Sequence, residues 1–134
     1  MKVLQPEGWK PPRGYVNGVV AGGESIFLAG QIGWTAQAEL VGPDLLAQVR
    51  QALLNVRTLL AEADAGPEHI VRMTWYLTDR DEYVQREREI GAAYRELIGS
   101  YTVAMSAVQV VALVEPGAKV EIEVTAVRPA PPAA

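Results

Sequence analysis

Glu121 is the residue of this sequence whose chemistry most needs an explanation. It stands in VEIEV, residues 120–124, where apolar and acidic side chains alternate as in a strand with one buried face. A carboxyl group at an apolar interface has a raised pKa, which would let it move protons near neutral pH. The plainer interpretation is an interface carboxylate paired with an arginine or lysine, and the pattern alone favours it. Met105 lies in the preceding apolar run, and its role opposite that carboxylate is the second question that the sequence raises.

Composition excludes several classes of chemistry. The 134 residues include no cysteine and one histidine, which rules out thiolate metal sites and a cysteine nucleophile. His69 has no HExxH or similar neighbourhood and is interpreted as a strand-entry residue, so we expect no metal and no cofactor. A net charge of −4 argues against a nucleic-acid surface. With no signal-peptide pattern and no apolar run long enough to cross a membrane, we expect a cytoplasmic protein without a membrane partner.

Hydrophobic periodicity predicts one α+β domain over residues 1–134, with extended, proline-rich tails at 1–13 and 129–134. The predicted order is β-β-α-β-α-β-β, with both helices packed on one face of the sheet. Because the run before EPGA is apolar on both sides, the other face should meet a second sheet, most simply that of another subunit. The elements are a hairpin around AGGE (21–24), a helix opened by Pro43 and Asp44, the strand IVRMTWYL (70–77), a helix over about 81–98 and a hairpin closed by EPGA (115–118). The polar residues of the first helix, Gln48 among them, are predicted to form its wet face.

Over about residues 14–128 the sequence resembles the RidA/YjgF family of enamine/imine deaminases. The pieces that carry the resemblance are, in order, GYVNGVV, SIFLAGQIG, QVRQALLNVRTLLAEA, HIVRMTWYLTD and AVQVVALVEPGAKVEIEVTAV. The resemblance implies a chorismate-mutase-like α+β fold, with two helices on one face of a mixed sheet. It also implies a homotrimer whose sheets line a central barrel and whose small-molecule clefts lie between subunits.

The resemblance further implies which residues form the cleft. The family's glutamate corresponds to Glu121, which becomes the candidate catalytic proton shuttle. The arginine of the family's proline–alanine–arginine motif corresponds to Met105, followed by Ser106, and the proline to Val103. The remaining substrate-binding candidates are Tyr15, Gly30 and Gln31, which match the family, together with Ala29 in place of a serine, Gly91 in place of an asparagine, and the loop residue Trp34.

The methionine at position 105 changes the expected ligand. A guanidinium grips a carboxylate through two charge-assisted hydrogen bonds, whereas a thioether has no donor. We therefore predict little activity on 2-iminopropanoate and 2-aminoacrylate, because their binding should be about 10- to 150-fold weaker than with an arginine at this position. The predicted function is a divergent deaminase for another small enamine or imine, and the alternative is a ligand-binding or regulatory protein without turnover. An endoribonuclease, also ascribed to this family, fits the acidic chain poorly.

Most of these residues also have a plainer structural interpretation. Trp34 could equally stack on a ligand or pack at an interface, whereas Trp75 alternates with other apolar residues and is predicted to be core. The others could be a sheet aromatic (Tyr15), a tight-turn residue (Gly30), a loop hydrogen-bond donor (Gln31) and a packing residue (Met105). A solvated helix face is predicted for Arg80, Arg86, Arg88 and Arg95, which alternate with acidic residues.

The predicted last hairpin bears on the assembly. If EPGA closes it, Glu121 faces the region of Ala112, and Met105 lies about seven residues, or roughly 23 Å, further along the strands. One straight hairpin cannot bring both side chains to one small ligand, yet the resemblance places both at the cleft. We therefore predict that Met105 and Glu121 reach a shared cleft from different subunits.

Overall fold

The computed structural model describes residues 1–99 and 102–130, so part of the predicted C-terminal tail (131–134) lies outside the described residues. The predicted α+β class with helices on one face of a mixed sheet is confirmed, although the helix predicted over about 81–98 is divided at Arg86 into two. Within the described residues, no helix has the length and apolar character needed to span a membrane. In chain order the elements are β1 (Lys2–Val3), β2 (Val19–Val20), β3 (Glu24–Gln31), α1 (Leu45–Glu62), β4 (Ile70–Leu77), α2 (Arg80–Gln85), α3 (Glu87–Leu97), β5 (Ala104–Gln109) and β6 (Val120–Arg128).

The four long strands form one mixed sheet in the order β3-β6-β4-β5. β6 is antiparallel to both of its neighbours, and β5 runs parallel to β4. Alternation along β6 buries Val120, Ile122 and Val124 against the helices, while Glu121 and Glu123 point away from them. We call the two sides the helix face and the open face. The helix face carries the apolar core, to which α1 and α3 contribute their buried residues.

The hairpin predicted around EPGA is wrong. β5 pairs with β4, not with β6, and residues 110–119 cross over the end of β4 to reach its other side. Two backbone hydrogen bonds anchor this crossing at the end of β4: Val110 N–H donates to the carbonyl of Leu77 at 2.8 Å, and Thr78 N–H to that of Lys119 at 3.1 Å. Parallel pairing follows from the helical connection through α2 and α3, which returns the chain to the same end of the sheet.

The first predicted hairpin is also wrong. β2 pairs with β1 in a separate two-stranded sheet, so AGGE does not close a hairpin between β2 and β3. β1 belongs to the N-terminal arm, and β2 pairs with this strand and not with β3. A smaller difference affects β4, where an irregular register between Ile70 and Arg72 buries Ile70 completely and leaves Val71 half-buried. The helix face of β4 therefore begins one residue earlier than strict alternation predicts.

Helix α1 begins where the sequence predicts, with Asp44 as its N-cap. The Asp44 carboxylate accepts a hydrogen bond from Ala47 N–H at 2.9 Å, which lowers its pKa, and the Arg86 guanidinium at 3.2 Å lowers it further. Gln48 departs from the predicted wet face because it is completely buried. Its amide donates to the carbonyls of Gly42 and Gly117 and accepts from Lys119 N–H. Gln48 therefore fixes the crossing loop that leads into β6.

Candidate functional site

A cavity of about 610 Å³ lies at the edge of the helix face, between β5 and α3. It brings together three of the residues nominated from the sequence, namely Tyr15, Gly91 and Met105. These come from the N-terminal arm, α3 and β5, three parts of the chain that are far apart in sequence. Its volume falls in the range usual for small-molecule sites, about 300–1,000 Å³.

The arm reaches this cavity because it adds to the exposed edge of β5. Val16 N–H donates to the carbonyl of Val103 at 3.0 Å, and Val16 forms an isolated parallel bridge with Ala104. This pairing sets Arg13 and Tyr15 beside the cavity. Tyr15 is therefore an edge residue with an exposed ring that lines a cavity, and it does not lie within the sheet.

The register of β5 determines which of its side chains enter the cavity. Met105 pairs with Met73, which is completely buried on the helix face. Met105 and Ala107 line the cavity, and Met105 also packs against the core, as its plainer interpretation predicts. Ser106 falls between them in the alternation, so it lies on the open face and is exposed. The structure does not bring Ser106 together with the cavity residues.

The floor of the cavity is aromatic. Trp75 is a core residue as predicted, with 2% of its surface exposed, and it also lines the cavity. Its ring packs edge-on against Tyr83, with centroids 6.2 Å apart, and at a tilt against Tyr94, at 6.3 Å. Burial raises the pKa of Tyr83, and the negative charge of Glu87 raises it further. The arrangement offers an apolar, polarisable surface to a ligand.

Three charged side chains that the sequence reasoning did not nominate also line the cavity: Arg13, Glu87 and Arg95. The lining therefore contains two guanidinium groups, although the position of the family's arginine is occupied by Met105. Arg95 is exposed, as predicted for a solvated helix face, yet it borders the cavity. The available signal was the four-residue spacing of Glu87, Gly91 and Arg95, which places all three on one side of α3.

Arg86 also departs from the predicted solvated face. It lies at the junction of α2 and α3 and forms ion pairs with Asp44 at 3.2 Å and with Glu89 at 2.9 Å. These contacts tie the two helical segments to the start of α1. Arg86 therefore supports the helix wall of the cavity from behind.

Glu121 belongs to a second cluster, on the open face. It is half-buried and stands directly opposite Tyr76 on β4. A Cβ atom added to Gly30 would lie 2.6 Å from Cδ of Glu121, so the carboxylate rests on the bare backbone of Gly30. Gln31 is the last residue of β3, and its Nε2 donates to the carbonyl of Ala29 in the same strand at 3.0 Å, so this hydrogen bond is made within the strand and not in a loop. Among the described residues, no arginine or lysine forms an ion pair with Glu121.

One chain keeps Glu121 and Met105 apart. Met105 pairs with Met73 and Glu121 with Tyr76, on opposite sides of β4. Two strand spacings and three residues of strand rise separate their backbones by about 14 Å. Their side chains lie on opposite faces of the sheet. The distance of roughly 23 Å along the strands was estimated from the wrongly predicted hairpin and no longer applies. The two side chains nevertheless do not converge within one chain.

Trp34 lies outside both clusters. It is half-buried in the loop before α1, where it bridges to Leu40 and its carbonyl accepts a hydrogen bond from Asn55 Nδ2 at 2.9 Å.

His69 enters β4 through a 3-10 turn, and its Nδ1 accepts a hydrogen bond from Gly66 N–H at 3.1 Å. Over residues 1–99 and 102–130, no group of three or more histidine or acidic side chains could hold a metal ion.

Comparisons with known proteins connect this geometry to characterised folds. The family profile described as "Endoribonuclease L-PSP" matches residues 8–128. "Putative reactive intermediate deaminase TdcF" of Escherichia coli is 31% identical over 119 residues, which cover 87% of this chain and 88% of TdcF. The solved structure of the Rid-family protein YyfB from Yersinia pestis superimposes with a TM-score of 0.81 and 36% identity, covering 95% of this chain and 98% of YyfB. The structure of E. coli TdcF with bound serine gives a TM-score of 0.69 and 30% identity, covering 96% and 99%.

Proposed function

The chain belongs to the RidA/YjgF family, and from this premise we propose that it is a cytoplasmic deaminase that hydrolyses a small reactive enamine or imine to a carbonyl compound and ammonia. The observation that carries the proposal is the cavity of about 610 Å³ in which Tyr15, Gly91 and Met105 meet. Relatives support it further, since one is named a reactive intermediate deaminase and its solved structure holds serine, a small amino acid. Its substrate preference differs from that of members with an arginine at the position of Met105.

The reaction requires a water molecule and several proton transfers, and one carboxyl group can carry the protons between water and substrate. Protonation of an enamine carbon gives an iminium ion, to which water adds at the carbon of the C=N bond. A proton then moves to nitrogen, the C–N bond breaks and ammonia leaves, with the carbonyl group forming at the same carbon. Glu121 is the group proposed to carry these protons. A free iminium hydrolyses readily, so orientation and proton transfer are what the protein must supply.

A composite cleft is the assembly that this chemistry requires. Within one chain the Glu121 carboxylate and the cavity lie on opposite sheet faces, so we propose that a neighbouring subunit supplies Glu121 to each cavity. The open face supports an intersubunit contact because it exposes Phe27 to 77% and Val108 to 44%. A homotrimer with three such clefts is the proposed assembly, in which the open faces meet.

The test measures ammonia release from a panel of imines that vary in size and charge, with the oligomeric state determined in parallel by sedimentation at micromolar concentration. The proposal expects accelerated ammonia release from at least one imine and a trimer in sedimentation. Saturable binding of the same compounds or their carbonyl products with no ammonia release would instead support a ligand-binding or regulatory protein. A stable monomer would contradict the composite cleft.

A further inference from the structure

Helix α3 presents to the cavity charged side chains that take no part in the proposed proton transfer. Glu87, Gly91 and Arg95 are spaced by four residues, and all three line the cavity. The two charged residues are separated by two turns, or about 12 Å along the helix axis. Between them, at Gly91, the helix has no side chain. A ligand at this wall therefore meets a negative charge at one end, a gap, and a positive charge at the other.

Gly91 allows Arg95 to lean into that gap. Side chains on a helix tilt toward its N-terminus, which directs Arg95 toward the turn that contains Gly91. Nη1 of Arg95 lies 3.4 Å from the point where a Cβ atom of residue 91 would stand. A methyl group would fit at this distance as an ordinary contact, but a longer side chain would occupy the space of the guanidinium. Glycine is a poor helix residue, and here its lack of a side chain leaves room for a cation at the cavity wall.

The apolar wall of the cavity favours a ligand with a bulky apolar group, and the charge of Glu87 disfavours a second anionic group. Trp75, Ile90 and Met105 give it an apolar wall much larger than a methyl group needs. The carboxylate of Glu87 lines the cavity together with Tyr83, whose pKa its negative charge helps to raise. A second anionic group on the ligand would meet that charge. The cavity therefore fits one carboxylate joined to a bulky apolar group.

We infer that Arg95, in the space left by Gly91, binds the carboxylate of the substrate, and that the preferred substrate is a 2-imino monocarboxylate with a branched or aromatic side chain. The identity of the substrate rests on the proposed deaminase function, whereas the carboxylate site can be tested by binding alone. The guanidinium comes from a helix in place of β5, so Met105 is free to contact the apolar group. This assignment replaces the expectation that the loss of an arginine at position 105 removes carboxylate binding.

Binding of 4-methyl-2-oxopentanoate, the 2-oxo acid product of such an imine, tests the carboxylate site, with its uncharged methyl ester as the matched ligand. Titration followed by calorimetry should show the acid binding about 10-fold or more tightly than the ester. Arg95→Ala should abolish that preference, and Arg95→Lys should retain only part of it, since lysine lacks the planar fork. Gly91→Leu should weaken acid binding by displacing the guanidinium. Arg88→Ala, on the same helix but outside the cavity, should bind both ligands as the wild type does.

The possible outcomes separate the two proposals. Equal binding of acid and ester to the wild type, or no binding of either, would overturn the assignment of a carboxylate site. Retention of the preference in Arg95→Ala would overturn it too, as would its loss in Arg13→Ala alone, since that result would move the site to the arm. If the preference depends on Arg95 but ammonia release from the imine of the same skeleton is not accelerated, the carboxylate site stands and the deaminase proposal fails.

Discussion

The cavity and the open face differ in how much of a site a single chain can build. The cavity is walled by the arm, β5, an aromatic floor and α3, all held by contacts within the chain. The open face offers a positioned carboxylate, Glu121 on Gly30, and also carries exposed apolar side chains such as Phe27. Helix-on-sheet packing closes a pocket by itself, whereas a sheet face becomes a site when another surface covers it. In the proposed deaminase, ligand binding would belong to one chain and proton transfer to the contact between chains.

Replacement of Glu121 should have the largest effect on turnover. In Glu121→Gln the fold and the binding of a 2-oxo acid should persist, while kcat for imine hydrolysis falls about 100-fold or more because the proton carrier is lost. Glu123→Gln is the matched control, since Glu123 lies two residues along the same strand on the same face and is exposed. Equal kinetics for wild type and Glu121→Gln would remove this carboxylate from the mechanism.

Gly30→Ala should have a smaller effect on the same step. The new Cβ would lie 2.6 Å from Cδ of Glu121, so the carboxylate must shift, and a misplaced proton carrier should lower kcat by about 10-fold. Ligand binding in the cavity should hardly change, because Gly30 does not line it. Gly22→Ala serves as control, since a Cβ there meets no atom within 4 Å. Full activity in Gly30→Ala would mean that the position of the carboxylate on Gly30 is not needed for turnover.

Substitution of Asp44 tests the contacts that support the helix wall of the cavity. It should change the stability of the fold and leave ligand binding unchanged. Asp44→Ala removes the cap of α1 and one of the two ion-pair partners of Arg86, and should lower the free energy of unfolding by about 1 kcal/mol. Asp44→Asn keeps a capping oxygen and should lose much less, since the ion pair is exposed. The measurement is unfolding in denaturant at several pH values.

The pH dependence of this effect has a definite sign. The pKa of Asp44 is lowered from 3.8 by the hydrogen bond from Ala47 N–H and by Arg86. Its charge-dependent contribution is therefore present above pH 3.8 and is lost as the pH falls through the lowered pKa of the folded state. The difference between wild type and Asp44→Asn should shrink in that acidic range. A difference that grew on acidification would contradict the assigned role of the carboxylate.

Local patterns sufficed for much of the fold. Asp44 begins α1, Trp75 lies in the core, and Val120, Ile122 and Val124 form the helix face of β6, because capping and alternation are properties of neighbouring residues. Strand partners are a different matter. EPGA marks a change of direction, but no local signal in it shows that the chain crosses the end of β4 before it pairs.

The site divides in the same way. Tyr15, Gly91 and Met105 were nominated from the resemblance, and the fold brings them to one cavity. Arg95 was missed because alternating charges along a helix do not indicate which of them borders a cavity; that depends on the β5 edge. Gln48 was assigned to solvent because its type is polar, whereas the loop carbonyls of Gly42 and Gly117 need its donors in the interior.

The claim that each cleft combines the cavity of one subunit with Glu121 of another is tested most directly by mixing two variants, each impaired in one half of the cleft, and assaying the mixture at a low substrate concentration. Glu121→Gln chains keep the cavity, and Arg95→Ala chains keep the carboxylate. Unfolded together in equal amounts and refolded, they should form mixed trimers in which about one cleft in three joins an intact cavity to an intact Glu121. The account predicts recovery of about a quarter of the wild-type turnover in the statistical mixture. Refolded mixtures that form trimers yet show no more activity than the two variants refolded separately would contradict it.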